Sequence, residues 1–189
     1  MNIHSLHHYL TNLSESEEHY RSGYPFSGWS QLPKVQIHGR EMYRMFPDNL
    51  IFSSMHGENP VSSQNFDIPV GLQDISIKRN SRFNPVPEHV HSHIEINYVY
   101  SGTCPQYIDG KPVLLKKDQV LLIDTDCPHS IDALGENDIM ISMLIRKEFL
   151  RDRMFSQFSK DSVLSRFFVN ALTEQTDHDH YLLFHSEKD

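Results

Sequence analysis

Short apolar and polar runs alternate through the middle of the chain. The runs IEINYVY, QYIDG, PVLLK, QVLLID, HSIDAL and DIMISMLI follow one another closely, with turn-forming residues between them. Closely spaced β-rich runs of this kind are typical of antiparallel sandwiches and small barrels. Asp109-Gly110 between two of the runs predicts a hairpin, because both central residues of a type I′ turn need positive φ. The pattern therefore predicts a mainly β centre.

Residues before this centre follow other patterns. Apolar residues at helical spacing predict a short amphipathic helix at the N-terminus, formed by Ile3, Leu6, Leu10 and Leu13. The polar, acidic stretch SESEEH follows that helix. Residues 23–84 are rich in Pro, Gly, Ser and Asn, and their short apolar runs, such as NLIF and DISI, predict irregular chain with a few strands.

After Ile145 the period becomes helical again. One apolar face is predicted to hold Phe149, Leu150, Met154, Phe155 and Phe158. After a break at SKDS, a second face is predicted to hold Val163, Leu164, Phe167, Phe168, Ala171 and Leu172. Asp161 or Ser162 is suited to cap the second helix. These faces either form a dimer surface or pack on the outside of the β region, and the pattern leaves both open.

Length and charge restrict the classes of function. A chain of 189 residues can bury one core with appendages. Its net charge of -8 argues against DNA binding by this chain alone, because nucleic-acid binding depends on Lys and Arg that neutralise phosphates. The sequence has no run long enough to span a bilayer and no signal-peptide pattern, so we predict a cytoplasmic protein. Cys104 and Cys127 form no C-x-x-C pattern and are predicted to be buried free thiols.

The stretch HVHSHIEINYVYSG carries the candidate chemistry. Because side chains alternate across a strand, one face would hold His89, His91, His93, Glu95 and Asn97. A flat strand would separate His89 from Glu95 by about 20 Å, at roughly 3.3 Å per residue, which is beyond the reach of one metal ion. The chain must therefore turn at SHI for these groups to meet, and His93 would then lie in the turn as an exposed histidine rather than a ligand.

Spacing within this stretch resembles the first motif of the cupin superfamily. That motif has the order His-x-His, three residues, Glu, six residues, Gly, and it is met by His89, His91, Glu95 and Gly102. The stretch KKDQVLLIDTDCPHSI resembles the second cupin motif and ends at its histidine, His129. Here the sequence departs from the pattern, since Lys117 stands where Gly is usual, and Asp124 and Asp126 fall near the usual Pro and Gly.

Residues from about 83 onward resemble the N-terminal sensory domain of AraC-type transcriptional regulators. The phrases HVHSHIEINYVYSG, LLKKDQVLLIDTDCPHSI and YLLFHS carry the resemblance. It implies a cupin, jelly-roll-like β-barrel with C-terminal α-helices that make a dimer, and a short N-terminal helical arm. We divide the chain accordingly into residues 1–80, an arm and irregular or β extension that packs on the barrel; residues 81–145, the barrel core; and residues 146–189, a helical segment for dimerisation. The family's helix-turn-helix units are predicted to be missing from this chain.

Two interpretations of the site remain open. His89, His91, Glu95 and His129 could hold one divalent ion, such as Fe, Mn, Ni or Zn, or they could form a metal-free pocket that contacts an effector together with Asn97. We favour the metal-free pocket, because AraC-type domains often do without the cupin metal.

Other polar and aromatic residues have simpler explanations. Aromatic strand residues such as Tyr98 and Tyr107 more often pack than bind. The spacing of His4, His7 and His8 can chelate a metal, but no acidic partner completes an HExxH pattern, so we predict a solvated helix end. Three histidines of the polar tail are predicted to be solvated or to face the missing part of the chain: His178, His180 and His185.

The main functional hypothesis is the effector-sensing and dimerisation domain of an AraC-type regulator. Its effector would be a sugar or another polar metabolite, and DNA would be contacted only through the missing part. We expect no catalytic residues and no membrane partner. The alternative is a small metal-dependent cupin enzyme, a dioxygenase or isomerase, with an open coordination position. A standalone sugar-binding module is a third and weaker hypothesis.

Overall fold

The computed structural model describes residues 3–45, 74–154, 162–173 and 178–185. Within these ranges the strands are β1 (Lys34–Ile37), β2 (Arg40–Arg44), β3 (Ile75–Arg79), β4 (Val86–Val90), β5 (His93–Ser101), β6 (Thr103–Ile108), β7 (Lys111–Lys116), β8 (Val120–Ile123), β9 (His129–Ile131), β10 (Ile139–Arg146) and β11 (Tyr181–Phe184). The helices are α1 (Ile3–Thr11), α2 (Glu15–Arg21), α3 (Lys147–Phe149) and α4 (Val163–Thr173), with a 3-10 turn at Gly28–Gln31 and a π-helical turn at Leu150–Met154. Among these helices none is long and apolar enough to cross a membrane.

The strands form two sheets that pack against each other. One sheet has the order β1-β2-β4-β9-β6-β7 and the other has the order β11-β8-β5-β10-β3. All neighbours run antiparallel except β2 and β4, which are parallel. The hairpin predicted at Asp109-Gly110 joins β6 and β7, and both residues have positive φ, 47° and 75°. The prediction of a mainly β, cupin-like fold is confirmed, with two open sheets in the described residues rather than a closed ring.

Two apolar clusters lie on opposite faces of the sheet that contains β5. The cluster between the sheets includes Val99, Ile108, Leu121, Ile131 and Met140. The cluster on the outer face consists of Ile94, Leu122, Ile145, Leu150, Phe167, Phe168 and Ala171. The phenylalanines of α4 therefore pack on the outer face of the β region, which is one of the two alternatives that the sequence left open.

The acidic stretch after α1 is a helix, which the sequence prediction missed. Ser14 caps α2 with a reciprocal pair of hydrogen bonds, because its hydroxyl accepts from Glu17 N and its own N–H donates to the Glu17 carboxylate. Glu17 is buried and forms ion pairs with Arg79 and Arg82. The pattern S-x-x-E was the available signal for this helix. The predicted N-terminal helix is confirmed as α1, which ends at Thr11 and leaves Leu13 outside it.

The secondary structure after β10 matches the predicted helices only in part. The first predicted helical run begins as α3 and the π-helical turn, while Phe155 and Phe158 lie outside the described residues, as does the run NLIF. The second run is α4, and Ser162 caps it by accepting a 3.0 Å hydrogen bond from Ser165 N. YLLF forms β11, which pairs antiparallel with β8 and extends the second sheet.

Candidate functional site

A break between two strands brings the motif histidines together. β4 ends at Val90 and β5 begins at His93, so the chain crosses from one sheet to the other at His91 and Ser92. The sequence analysis predicted a turn between His89 and Glu95, and this crossing is that turn. The crossing places His89 beside His129, its register partner on β9, while Glu95 approaches from the opposite sheet.

The four motif residues form one buried cluster. His89, His91, Glu95 and His129 each offer a ligand atom, and these four atoms lie within 4.8 Å of one another. None of the four residues exposes more than 3% of its surface. We call these four residues the His–Glu cluster. The structure therefore brings together the residues that the sequence proposed as metal or effector ligands.

Backbone carbonyls fix the orientation of all three imidazoles. The Nδ1 atoms of His89, His91 and His129 lie 2.9, 3.0 and 2.8 Å from the carbonyl oxygens of Pro87, His93 and Cys127. A carbonyl oxygen can only accept, so each Nδ1 must carry a proton and donate it. In a neutral imidazole this leaves the lone pair on Nε2, the atom that faces the cluster. Such outer hydrogen bonds are typical of histidines that coordinate metal ions.

Charge in the cluster is concentrated on Glu95. Burial and the nearby imidazoles of His129 and His91 hold the pKa of His89 well below its ordinary value. Burial also lowers the pKa of His91, against the hydrogen bond to Glu95 that raises it. Burial by itself would raise the pKa of Glu95, but the contacts with His129 and His91 outweigh it and keep that pKa well below its usual range. Glu95 is thus ionised, and the imidazoles of His89 and His91 favour the neutral form.

The shortest contact in the cluster needs a positive charge. His91 Nε2 lies 2.8 Å from Glu95 Oε2, and His129 Nε2 lies 3.3 Å from the same oxygen without the alignment of a hydrogen bond. A lone pair and a carboxylate oxygen repel each other at this separation. A proton or a metal cation between the atoms resolves the repulsion, so this donor set fits a cation.

A polar network supports the cluster from the inside of the sheet. Ser142 on β10 contacts Glu95 Oε1 at 3.1 Å and also Asn97 Oδ1, and it accepts a 2.6 Å hydrogen bond from Asn80 Nδ2. Asn97 is fully buried and reaches Gln106 on its other side. Asn97 therefore supports Glu95 through Ser142 and does not line the cavity described next. Sequence reasoning missed Ser142, whose one signal was a serine within the apolar run of β10.

A small cavity borders the cluster. Its volume is about 10 Å³, which is room for about one water molecule or ion. The lining residues are Met45, Lys78, Val86, His89, His91, Glu95, Ile131 and Leu144. Lys78 was not predicted; burial lowers the pKa of its ammonium, and the charge of Glu95 opposes that shift. A wider groove of about 360 Å³ lies elsewhere, between α1 and the end of β5.

Two predictions about single histidines are wrong. His93 is buried at the start of β5 and is not an exposed turn residue, because its side chain points between the sheets with the parity of Glu95. His178 is not solvated either: its side chain is 5% exposed and its Nε2 lies 2.8 Å from Asp124 Oδ2. The prediction of exposure holds for His4, His7, His8 and His185. Tyr98 donates to Asp118, and Tyr107 is exposed, so neither enters the site.

The family comparison agrees with the resemblance in the sequence. Residues 77–161 match the family model of the AraC-like ligand binding domain. The resemblance to AraC-type sensory domains is therefore confirmed over these residues. Among curated proteins none matches the chain.

Several solved structures are similar to part of this chain. A cupin 2 conserved barrel domain protein from Leptotrichia buccalis is 25% identical, with a TM-score of 0.34, over 38% of this chain and 35% of that chain. A cupin protein from Bacteroides fragilis is 21% identical, with a TM-score of 0.33, over 41% of this chain and 70% of that chain. ToxT from Vibrio cholerae, bound to (E)-4-(8-methylnaphthalen-1-yl)but-3-enoic acid, is 14% identical, with a TM-score of 0.41, over 60% of this chain and 42% of that chain. This chain thus spans less than half of ToxT.

Proposed function

We propose that this chain, whose residues 77–161 match the AraC-like ligand binding domain, is the effector-sensing and dimerisation part of an AraC-type transcriptional regulator. The observation that carries the proposal is the position of the match: it contains all four residues of the His–Glu cluster. A buried polar cluster beside a cavity is what a sensor for a small polar molecule requires. In this proposal DNA is contacted by a part that this chain does not contain, and the protein works in the cytoplasm.

The effector is proposed to place one polar group at the His–Glu cluster. The cavity of about 10 Å³, which Met45 and Lys78 also line, has room for one such group, so binding of the whole molecule requires the lining residues to move apart. The Lys78 ammonium makes a carboxylate or a hydroxyl oxygen the favoured partner there. Sugars and hydroxy acids both supply these groups, and either is consistent with the polar metabolite predicted from sequence.

A divalent cation is the alternative occupant of the same site, and it belongs to the second candidate function below. The three Nε2 lone pairs and the Glu95 carboxylate form a ligand set of the kind that iron, manganese, nickel or zinc accepts. His89, His91, Glu95 and His129 would hold the ion, which would supply a positive charge that binds oxygen atoms of a substrate. Without the ion, a proton shared between His91 and Glu95 fills the same electrostatic role.

Coupling to the rest of the protein is proposed to run through β3. Lys78 lines the cavity, and the next residue, Arg79, donates hydrogen bonds to the carbonyl oxygens of Tyr9 and Leu10 at the end of α1. A movement of β3 on effector binding would therefore change how the N-terminal helices dock. Such coupling requires that the effector binds two arrangements with different affinity.

A dimer is part of the proposal, and α4 is its candidate surface. Phe167 and Phe168 are already buried against the sheet, whereas Val163 and Val169 on the same helix are 51% and 37% exposed. Sedimentation equilibrium on the wild-type chain and on a Val163→Lys, Val169→Lys variant tests this. We expect a dimer that the two lysines convert to monomers; a wild-type monomer at all concentrations would contradict it.

The second candidate function is a metal-dependent cupin enzyme, which the ligand set at the His–Glu cluster favours. Metal analysis of protein purified without a polyhistidine tag separates the candidates. Stoichiometric iron or manganese that is lost on His91→Ala, but kept on the control His8→Ala, favours the enzyme. A folded chain without metal, whose thermal unfolding temperature rises with glycolate or glucose as probes and not in His91→Ala, favours the sensor. If the protein binds no metal and shows no thermal shift with either probe, the result counts against both candidate functions.

A further inference from the structure

A second group of metal-ligating side chains lies where β8 ends and β11 begins. Asp124 directly follows β8, and His178 and His180 precede β11. The Asp124 N–H donates a 2.9 Å hydrogen bond to the His180 carbonyl oxygen, which continues the pairing of the two strands by one residue. One ligand atom from each of the three residues lies within 4.8 Å of the other two. The tertiary pairing of β8 with β11 thus brings together residues more than 50 positions apart in the sequence, since His178 and Asp124 differ by 54.

Distances within this group are those of a ligand set. His178 Nε2 lies 2.8 Å and His180 Nδ1 lies 3.8 Å from Asp124 Oδ2. Two ligand atoms that each lie about 2.0–2.2 Å from a tetrahedral Zn²⁺ are about 3.3–3.5 Å apart. The two observed separations bracket that value, so small side-chain adjustments would admit an ion. The other oxygen, Asp124 Oδ1, accepts from Thr125 N at 2.6 Å, which leaves Oδ2 to face the imidazoles.

Burial shows that this contact is not an incidental surface pair. The side chains of His178 and Asp124 are each 5% exposed. His178 Nδ1 is also buried, and among the described residues it has no hydrogen-bond partner. A buried imidazole with one unsatisfied nitrogen is costly, so its contact with Asp124 must offset that cost. A cation coordinated by His178 Nε2 and Asp124 Oδ2 would offset more of that cost than the single hydrogen bond between them.

We propose that Asp124, His178 and His180 form a second divalent-cation site, which takes Zn²⁺ or an ion with a similar preference for imidazole and carboxylate ligands. Two nitrogens and one oxygen come from the protein, and water completes the coordination, which is open on the side of the half-exposed His180. The ion links the end of β8 to the start of β11. This site shares no residue with the His–Glu cluster and does not depend on effector sensing.

Zinc uptake by the tag-free chain tests the site. Equilibrium dialysis against Zn²⁺, with metal analysis, is compared between the wild type, His178→Gln and His180→Ala. The glutamine can keep a hydrogen bond to Asp124 but loses the imidazole, and His180 is exposed enough that its removal spares folding. The matched control is His185→Ala, which removes an exposed histidine of the same segment that contacts Gln119 instead. We expect each site variant to bind one equivalent fewer than the wild type, and the control to bind as many.

Thermal unfolding gives a second readout. At a free Zn²⁺ concentration of about 100 times the dissociation constant, an ion that binds only the folded chain raises the unfolding temperature of a chain of this size by about 5–10 °C. We expect part of the zinc-induced rise to vanish in His178→Gln and His180→Ala and to persist in His185→Ala. Equal uptake and equal shifts in all four proteins would overturn the proposal and leave an ordinary His178–Asp124 hydrogen bond. Loss of an equivalent on His91→Ala alone would concern the His–Glu cluster and not this site.

Discussion

The carboxylate of Glu17 joins the N-terminal helices to the β domain. Replacing this carboxylate with an amide measures how much the contact contributes to the free energy of unfolding. Its Oε1 accepts from Arg82 N and Arg82 Nε, both at 3.0 Å, and its Oε2 accepts from Arg79 Nη2 at 2.7 Å. Arg82 also donates to the carbonyl oxygens of Thr11 and Asn12 at the end of α1. The Glu17 carboxylate therefore neutralises both arginines, which hold α1 and α2 against β3.

Glu17→Gln removes that charge and leaves Arg82 buried, at 2% exposure, beside an amide. Breaking one partner out of a buried ion pair costs about 3–5 kcal/mol. The bonds from Arg82 to the α1 carbonyls remain, so we expect the lower part of this range, about 3–4 kcal/mol. With about 2–4 °C per kcal/mol for a chain of this size, the unfolding temperature should fall by about 6–16 °C.

Urea unfolding followed by circular dichroism measures the loss, with Glu18→Gln as the matched control. Glu18 is the next residue on α2, and its ion pair with Arg21 joins side chains that are 50% and 45% exposed. Exposed pairs of this kind contribute about 0–1 kcal/mol, so the control should hardly change the free energy of unfolding. Equal, small losses in the two variants would refute the reasoning and mean that the N-terminal helices do not dock in solution.

The same pair of proteins gives a pH dependence with a definite sign. Burial alone would raise the pKa of Glu17, but hydrogen bonds from Arg82 and Ser14 outweigh it and lower the pKa below its ordinary 4.5. A carboxyl group whose pKa is lower in the folded state stabilises the protein above its unfolded pKa, and that contribution is lost as the pH falls through the folded value. The stability difference between wild type and Glu17→Gln should therefore be constant above about pH 5 and shrink below pH 4.5. A difference that grew on acidification would contradict this.

Two further predictions concern the β domain. Gly102→Ala should destabilise the chain by about 2 kcal/mol or more, because Gly102 has a φ of +70° and an added Cβ would lie 2.0 Å from Asp138 Oδ1. The control Gly39→Ala, at φ +76° with open space around it, should cost only about 1 kcal/mol. Equal losses of the two variants in urea unfolding would show that the added Cβ at position 102 meets no clash. Burial raises the pKa of Cys104 and of Cys127 to about 12. Neither thiol should therefore react with iodoacetamide at pH 8 until the chain is unfolded. Modification of the native chain, detected by mass spectrometry, would contradict this prediction.

Local patterns in the sequence were sufficient for much of the fold. The hairpin at Asp109-Gly110 could be predicted because the required positive φ values belong to those two residues themselves. The turn between His89 and Glu95 could be predicted because a flat strand cannot bring them together. The capping box at Ser14 and Glu17 was present in the sequence as S-x-x-E. The helix was missed because the stretch was interpreted only as polar and acidic.

Contacts between distant segments could not be predicted in this way. His178 was expected to be solvated because its sequence neighbours are polar, yet it is buried, since the pairing of β11 with β8 places it against Asp124. Ser142 and Lys78 enter the candidate site only because β10 pairs with β5, and β3 pairs with β10, in one sheet.

The sequence by itself determined the β-rich centre, the helical ends and the set of residues with metal-ligating chemistry, because these follow from periodicity and from side-chain type. Only the tertiary structure decided which of those residues meet. Strand order and register place His129 beside His89 and Glu95 opposite them, and they fix the three ring orientations through carbonyls of the backbone. Those are properties of strand pairing, which depends on the free energy of the whole fold and is not encoded in any short stretch.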